Sequence, residues 1–408
     1  MYISQYLAPL AVLLGLGQAM PPPRHHVERA TAFDPSNATL DEFAAHALEV
    51  AKTRIANSTG TCTPENVIVR KEIESLSGDE MIAYTSALNC LMQLAAKTPS
   101  ELAPGAKTRY DDWVTAHINQ TLVIHGTANF LGWHRLFTWE MEQSLRNECN
   151  YTGAIPYWDW TKTAKQGFNA SSAFDGSATS LSGNGLPVNR SATDQIIISV
   201  NTSSEVVLPV GTGGGCVTEG PFANMTVNLG PDGLIVLDGV TESSADGLFG
   251  YHPRCLKRDF TDYALQRYAN ESSVLTLLRD MPTVLDFENL MQGPQGVPEL
   301  GVHGGGHYAM GGDPGRDVYV SPGEPLFWSH HANIDRVWWM WQMLDPETRV
   351  GNVSTAISGP LTLNNLYAPH GNGSLTDLQN VGFVQEGLEV ELGALLDNTA
   401  GMLCTVYE

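Results

Sequence analysis

Residues 117–140 read HINQTLVIHGTANFLGWHRLFTWE and contain three of the chain's 12 histidines, His117, His125 and His134. The residues around them include four aromatic side chains of the kind found in protein cores. A single buried histidine is usually a core residue with its hydrogen bonds satisfied. Three together are harder to satisfy, because every buried imidazole needs polar partners. The stretch therefore suggests that the three imidazoles share a ligand.

The residues around these histidines have a helical pattern on both sides of a break. Trp113 and His117 are four residues apart, a spacing that places two side chains on one helix face. His134 belongs to a second apolar stripe with helical period, and Gly126 interrupts the pattern just after His125. The sequence thus predicts two helices and a connecting loop that direct three imidazoles inwards.

A second group of histidines occurs later in the chain. His303 and His307 are four residues apart in GVHGGGHYAMGGDPGRD, residues 301–317. His330 and His331 are adjacent in EPLFWSHHANIDRVWWMWQ, residues 324–342. Adjacent helical residues point about 100° apart, so one member of the pair is expected to join His303 and His307. The pattern is three histidines plus three histidines.

Six imidazoles without a thiolate or carboxylate restrict the choice of metal. Neutral imidazole suits copper, zinc, iron and nickel, whereas thiolates favour zinc or Cu(I), and oxygen ligands favour magnesium, calcium or manganese. A lone three-histidine site is also compatible with catalytic zinc. The zinc protease motif H-E-x-x-H is absent, because three glycines separate His303 from His307. Two facing three-histidine sites favour a pair of copper ions whose open positions share a small molecule such as O₂.

Composition argues against several classes of partner. The chain has 408 residues and a formal net charge of −22. Nucleic acids and anionic membranes bind basic patches, so neither is an expected partner. No apolar run reaches the roughly 18–20 residues of a membrane span. Because no internal repeat or linker divides the sequence, residues 20–408 are predicted to form a single domain with long loops.

The first 19 residues have the features of a signal peptide. An apolar centre, residues 7–16, precedes Gly17 and Ala19, which occupy the two positions that a signal peptidase inspects. Six cysteines, an even number, predict three disulfides with 15 possible connectivities. Eleven N-x-S/T sequons predict N-glycans on a secreted, extracellular protein. The sequon asparagines are Asn37, Asn57, Asn119, Asn150, Asn169, Asn189, Asn201, Asn224, Asn270, Asn352 and Asn372.

The middle of the chain has a different composition. Residues 168–216 are rich in Ser, Gly, Thr and Asn, which favours turns and irregular structure. A loop of this length is uncommon in a compact domain unless it is pinned or functional. Cys216 and Cys255 flank the end of this segment, and we expect them to form a disulfide.

The two histidine segments resemble those of the type-3 copper proteins, which are tyrosinases, catechol oxidases and haemocyanins. The first segment matches H-x7-H-G-x3-F-L-x-W-H-R, and the second matches H-x3-H followed by P-x-F-x2-H-H-x-N-x-D-R-x-W. PYWDW, residues 156–160, is a further family-like stretch. The resemblance spans about residues 111–342. The glycine-rich HGGGH is most similar to the short secreted polyphenol oxidases of fungi.

The resemblance implies a mainly α fold in which a four-helix bundle holds a dinuclear copper site. It implies O₂ and a small phenolic molecule as the reactants. His330 is implied to be a neighbour of the metal rather than a ligand. The implied ligands are His117, His125 and His134 for the first copper ion, and His303, His307 and His331 for the second.

Further residues near the site acquire expected roles from the same resemblance. Asp335, one turn after His331, is expected to fix the tautomer of an imidazole. The alternative for Asp335 is an ion pair with Arg135 or Arg336. Phe327 is expected to pack against the site.

The substrate side of the site is expected to involve Tyr308 and Val318. Tyr308 follows a ligand and is expected to line the pocket, and Val318 is expected at its entrance. Ordinary core packing is the alternative for both residues.

The position after the first ligand of the second copper bears on the reaction. In enzymes of the family that hydroxylate monophenols this residue is often Asn, which holds, with a nearby Glu, the water that removes the phenol proton. Here the position is Gly304, and Glu288 aligns loosely with the glutamate. We therefore expect a catechol oxidase. The main alternative is a tyrosinase with true monophenol hydroxylase activity. Two further alternatives are an oxygen-binding haemocyanin-like protein and a dinuclear zinc hydrolase. The absence of a carboxylate ligand argues against the hydrolase.

Overall fold

The computed structural model describes residues 33–201, 204–294, 297–351 and 353–408. The predicted signal peptide and the sequon asparagine Asn352 lie outside these residues. By its internal contacts, the segment Pro35–Glu408 is one unit. No helix in the described residues is both long enough and apolar enough to cross a membrane.

The structure is mainly helical, as predicted. The helices are α1 (Leu40–Asn57), α2 (Gly78–Leu91), α3 (Arg109–Ile124), α4 (Phe130–Cys149), α5 (Trp160–Gln166), α6 (Asp262–Tyr268), α7 (Glu271–Asp280), α8 (Val284–Gln292), α9 (Gly301–Met310), α10 (Leu326–Met343) and α11 (Pro346–Arg349). Several helix starts are stabilised by capping boxes. In each box, the side chains of the N-cap residue and of the third helical residue accept a hydrogen bond from the main-chain N–H of the other residue. The boxes pair Thr39 with Glu42 in α1, Ser77 with Glu80 in α2 and Thr108 with Asp111 in α3.

The segments outside the helices contain short strands, which pair with one another in two-stranded sheets. The strands are β1 (Ile68–Arg70), β2 (Gly185–Pro187), β3 (Gln195–Asn201), β4 (Ser204–Pro209), β5 (Gly214–Val217), β6 (Thr226–Val227), β7 (Asp232–Ile235), β8 (Thr241–Ser243), β9 (Arg254–Cys255), β10 (Leu378–Gln379), β11 (Val390–Glu391) and β12 (Thr405–Tyr407). β1 pairs in parallel with β12. The pairs β2–β5, β3–β4, β6–β9, β7–β8 and β10–β11 are antiparallel.

Helix α10 lies at the centre of the helical core. Every residue of α10 is buried, so the helix has no solvent face. A helix that is enclosed all round needs neighbours on several sides. α4 and α9 both pack on α10, and α3 packs on α4. These four helices carry all of the histidines in the two predicted sets except His125, which caps the C-terminus of α3.

The middle segment is more regular than its composition predicts. Four strands, β2 to β5, fall within the region that we expected to be irregular. The signal that composition hid is the β-branched run in QIIISV, residues 195–200, which favours a strand. Ile196, Val206 and Leu208 bury one face of the β3–β4 hairpin against Tyr268 and Leu300. Apolar packing therefore orders a segment that is otherwise rich in turn residues.

Three disulfides are formed, as the even number of cysteines predicts. They join Cys62 to Cys404, Cys90 to Cys149 and Cys216 to Cys255. The expected pairing of Cys216 with Cys255 is confirmed. No cysteine in the described residues is free.

Candidate metal centre

The first histidine cluster is built from two consecutive helices, α3 and α4, and the connection between them. His117 comes from α3, His125 from the end of that helix, and His134 from the first turns of α4. One nitrogen from each ring lies within 4.8 Å of the corresponding nitrogens of the other two. The ring centroids are 5.0 Å apart for His117 and His125, 5.8 Å for His117 and His134, and 5.2 Å for His125 and His134.

Main-chain carbonyl groups orient all three rings of this cluster. The hydrogen bonds are His117 Nδ1 to Tyr319 O (2.8 Å), His125 Nδ1 to Thr121 O (2.9 Å) and His134 Nδ1 to Phe130 O (2.8 Å). A carbonyl oxygen only accepts, so Nδ1 carries the proton in each neutral ring and Nε2 is left with a lone pair. The Nε2 atoms of His117 and His134 are buried without a hydrogen-bond partner. Buried nitrogens with free lone pairs fit a metal ion.

The second cluster combines two helices. His303 and His307 lie one turn apart on α9, and His331 lies on α10. The ring centroids of His303 and His307 are 4.8 Å apart, and those of His303 and His331 are 5.3 Å apart. His307 Nδ1 donates a hydrogen bond to the carbonyl oxygen of Gly315 at 2.9 Å. His303 Nε2 and both ring nitrogens of His331 are buried without a partner.

His330 belongs to the same cluster by distance, but both of its ring nitrogens are already used. Trp160 Nε1 donates to His330 Nδ1 at 3.0 Å. The proton of the neutral ring is therefore on Nε2, which donates to the carbonyl oxygen of His303 at 3.1 Å. With no free lone pair, His330 is suited to be a neighbour of a metal ion, as the resemblance implies, and not a ligand.

The two clusters adjoin each other. The rings of His134 and His331 stack with their centroids 4.5 Å apart and their planes at 16°. His125 and His303 also stack, at 5.9 Å. The six rings thus line one shared space that could accommodate two ions.

Burial keeps these imidazoles neutral. Burial lowers the pKa of His125 and of His307 to about 4. It lowers the pKa of His117, His134, His303 and His331 well below the ordinary value, and the neighbouring histidines lower it further. Neutral imidazole is the form that binds a metal, so near neutral pH the rings need not lose a proton before an ion enters.

The glycines between His303 and His307 allow neighbouring helices to approach α9 closely. A Cβ on Gly306 would lie 2.2 Å from the ring of His330 on α10. A Cβ on Gly305 would lie 2.7 Å from Cβ of Tyr268 on α6. Gly304 is less constrained, because the nearest atom to its Cβ would be Cβ of Leu300 at 3.0 Å.

Phe327 packs against the site, as expected. Its side chain is fully buried, and its ring stacks on that of His331 with centroids 4.0 Å apart. It also contacts the rings of His117 and His307, at 5.7 and 5.9 Å. Phe327 thus excludes water from one side of both clusters.

The role expected for Asp335 is wrong, and its alternative is correct. Asp335 Oδ1 accepts a hydrogen bond from Arg135 Nε at 2.5 Å, and Oδ2 accepts one from the hydroxyl of Tyr407. Nδ1 of His331 has no partner. A buried carboxylate is stabilised more by a guanidinium than by a neutral imidazole, because the hydrogen bond to a cation is charge-assisted. Asp335 therefore ties α10 to α4 and to the C-terminal strand β12.

The residues expected on the substrate side of the site lie in different environments. Tyr308 packs against the cluster formed by the β3–β4 hairpin and Leu300, which agrees with the packing alternative. Val318 is 46% exposed, as an entrance residue would be. Glu288 is buried on α8 and lines a cavity of about 650 Å³ that also includes Gly126, the residue after His125. Burial raises the pKa of Glu288 well above its ordinary value.

Three groups that orient the histidines were not identified from the sequence. The carbonyl groups of Tyr319 and Gly315 hold His117 and His307. Every residue has a carbonyl group, so sequence alone does not indicate which one is used. The indole of Trp160 holds His330, and the family-like stretch that contains it was the available hint.

Sequence comparison with known proteins matches most of this chain. The sequence matches the common central domain of tyrosinase over residues 107–344, more than half of the chain. It is 41% identical to the tyrosinase-like protein orsC of Emericella nidulans, over 75% of this chain and 81% of that protein. It is 35% identical to the N-acetyl-6-hydroxytryptophan oxidase ivoB of the same organism, over 89% of this chain and 98% of that protein.

A solved structure is similar in sequence and in fold. It is a glycine-to-asparagine variant of the polyphenol oxidase from Thermothelomyces thermophila. The TM-score is 0.81 at 39% sequence identity, over 90% of this chain and 97% of that chain.

Proposed function

The chain belongs to the tyrosinase family of type-3 copper oxidases, and we propose that within this family it is a secreted polyphenol oxidase that oxidises o-diphenols to o-quinones. The observation that carries this proposal is the meeting of two three-histidine clusters around one shared space. The alternatives are an oxygen carrier and a dinuclear zinc hydrolase. Neither would oxidise the diphenol in the assay described below.

The six histidines would hold the two copper ions that are the cofactor of the family. His117, His125 and His134 are assigned to the first ion, and His303, His307 and His331 to the second. The buried, unpartnered Nε2 atoms and the lowered pKa values of the rings support this assignment. When bound, the copper pair would supply the electron transfer from catechol to O₂, and the balanced reaction converts two catechols and one O₂ to two o-quinones and two waters.

The protein's own groups hold the rings and exclude water. Carbonyl groups keep the proton of four rings on Nδ1, so that Nε2 remains available. Phe327 packs on the rings of both clusters and keeps solvent from that side. Val318 is exposed and is proposed to border the entrance that a phenol uses.

The preference for diphenols rests on the groups available to take a phenol proton. A monophenol must lose its hydroxyl proton before hydroxylation, which calls for a positioned base or an activated water. Gly304 has no side chain to hold that water. The absence of that side chain supports oxidation of o-diphenols over hydroxylation of monophenols.

The test compares turnover of 4-methylcatechol with turnover of tyramine under air. We expect the natural enzyme to oxidise 4-methylcatechol and to hydroxylate tyramine poorly. Gly304→Asn should raise the tyramine to 4-methylcatechol ratio towards the roughly 10²-fold effect of a positioned base. Gly304→Ala is the matched control, because it introduces the same Cβ contact with Leu300 without an amide. Equal rates on both substrates without a lag, in the natural enzyme, would show that it is a tyrosinase.

Secretion and glycosylation belong to the same proposal. The sequon asparagines that are exposed are Asn37, Asn57, Asn119, Asn150, Asn169, Asn189, Asn224 and Asn372. Exposure makes them accessible to glycan transfer. We expect the secreted product, a single domain of residues 20–408, to begin at or near Met20 and to lose mass on treatment with an endoglycosidase. An intact-mass measurement before and after treatment checks both.

A further inference from the structure

One loop contributes a carbonyl group to each histidine cluster. We call residues 311–320 the bridging loop. The carbonyl oxygen of Gly315 accepts a hydrogen bond from His307 in the second cluster, at 2.9 Å. Four residues later, the carbonyl oxygen of Tyr319 accepts one from His117 in the first cluster, at 2.8 Å. The shape of this loop therefore affects the direction of one ring in each cluster.

Asp317 lies between the two carbonyl groups and is fully buried. Its Oδ1 accepts a hydrogen bond from the main-chain N–H of Tyr319 at 2.9 Å. Its Oδ2 accepts one from the main-chain N–H of Asp232, on strand β7, at 2.7 Å. The carboxylate thus closes the loop on itself at the peptide next to the His117 acceptor and attaches it to a neighbouring strand.

The start of the bridging loop is held separately. Asp313 forms an ion pair with Arg254, with N–O distances of 2.6 and 2.8 Å. Asp313 and Lys257 also exchange main-chain hydrogen bonds, at 2.9 and 3.1 Å. Arg254 is adjacent to Cys255, which the disulfide joins to Cys216. One end of the loop is therefore anchored on the disulfide-linked segment, and Asp317 anchors the other end.

We propose, building on the assignment of His117 and His307 as copper ligands, that Asp317 is a positioning residue that sets the ring orientation of one ligand in each metal site. The carbonyl direction fixes Nδ1–H, and because the imidazole ring is rigid, it also fixes where Nε2 points. Groups that orient a metal-bound histidine contribute strongly to metal affinity. Asp317 acts on both sites at once because one loop carries both acceptors.

A carboxylate suits this position because both of its partners are donors. Each oxygen of Asp317 faces a main-chain N–H. An asparagine would have to turn its NH₂ group towards one of them, which places two donors together and leaves a buried N–H unsatisfied. Asp317→Asn therefore removes one anchor with almost no change in side-chain volume.

The experiment measures copper release from the loaded protein to a chelator, together with the visible absorption of the copper centre. Asp317→Asn should release both ions roughly tenfold faster than the natural protein, in parallel, with a shifted absorption band. The matched control is Asp232→Asn, which removes a nearby charge but keeps the main-chain N–H that Asp317 accepts. The control should release copper at the natural rate. A second comparison, His117→Ala, should lose mainly the first ion.

Amide hydrogen exchange on the metal-free protein provides a readout that does not depend on copper. The main-chain amides of Tyr319 and Asp232 should exchange faster in Asp317→Asn than in Asp232→Asn. Two results for Asp317→Asn would overturn the positioning role. One is faster amide exchange with copper release at the rate of the natural protein, and the other is faster copper release from one site alone. Failure of the natural protein to bind copper would overturn the proposed function instead. If Asp317→Asn does not fold, Asp317→Ser, which has a smaller side chain with one acceptor, should show the same parallel release.

Discussion

The two histidine clusters have the same number of candidate ligands but are held differently. In the first, each of the three rings donates a hydrogen bond from Nδ1 to a carbonyl oxygen. In the second, His307 has such a bond, whereas neither nitrogen of His331 has a partner. His331 lies between the rings of Phe327 and His134, at centroid distances of 4.0 and 4.5 Å.

This difference separates local from tertiary control of a metal site. Two acceptors in the first cluster, Thr121 and Phe130, are four residues before the histidine that they orient, so local chain geometry places them. The second cluster depends on the close approach of α9 and α10, which the glycines permit. The first cluster should therefore resist changes in packing better than the second.

The largest effect is expected when a candidate ligand is removed from either cluster. His134→Ala and His331→Ala should each abolish oxidation of 4-methylcatechol and lower the copper content below two ions per chain, because a three-histidine site loses a third of its ligands. Copper analysis of the purified proteins and oxygen consumption check this. His330→Gln is the control and should retain copper, because both nitrogens of His330 already have protein partners. Full activity in His134→Ala or His331→Ala would contradict the ligand assignment.

An effect smaller than that of removing a ligand is expected from changing the packing of the second cluster alone. Gly306→Ala places a Cβ 2.2 Å from the ring of His330, so the two helices must separate. Overpacking of this kind costs about 1–3 kcal/mol of the free energy of unfolding. The apparent Tm should fall, and copper should be lost from the second site first.

Gly304→Ala is the matched control for Gly306→Ala. Its Cβ meets Leu300 at 3.0 Å, and alanine favours a helix over glycine by up to about 1 kcal/mol. Its Tm should stay close to that of the natural protein. Equal Tm values for the two variants would show that the contact with His330 does not control the spacing of the helices.

The most gradual effect is expected from pH on the metal-free protein. Burial lowers the pKa of His125 and His307 to about 4, whereas an unfolded histidine titrates near pH 6.5. Between these values the unfolded chain binds more protons than the native chain. The free energy of unfolding should therefore fall as pH decreases from about 6.5 to 4. Urea unfolding at several pH values in this window measures the slope.

A variant isolates the histidine contribution to this pH dependence. Buried carboxyl groups with a raised pKa, such as Glu288, act in the opposite direction over part of the window. His307→Gln removes one titrating ring and leaves these carboxyl groups unchanged, so its slope should be shallower. An identical slope in the variant and the natural protein would mean that the histidines do not control acid stability.

Periodicity was sufficient to predict the helices that carry the histidines. The spacing of four between His303 and His307 predicted one helix face, and both residues lie on α9. The break at Gly126 predicted the end of α3 and the start of α4. Such predictions succeed because hydrogen bonding and side-chain direction within a helix depend on neighbours a few residues away.

Partners far apart in sequence were predicted less well. Asp335 was expected to bind an imidazole but binds Arg135, which is 200 residues away. The β3–β4 hairpin was missed because its order depends on packing against Tyr268 and Leu300, which lie elsewhere in the chain. The choice between a near and a distant partner depends on which groups burial brings together.

The sequence by itself determined the chemistry available to this protein: six imidazoles, no thiolate or carboxylate among them, and three glycines between His303 and His307. The tertiary structure alone decided which nitrogen of His117 and of His307 is free, because their Nδ1 acceptors are carbonyl groups of the bridging loop. Carbonyl groups are the same in every residue, so the folded backbone, and not residue type, selects those that orient the site.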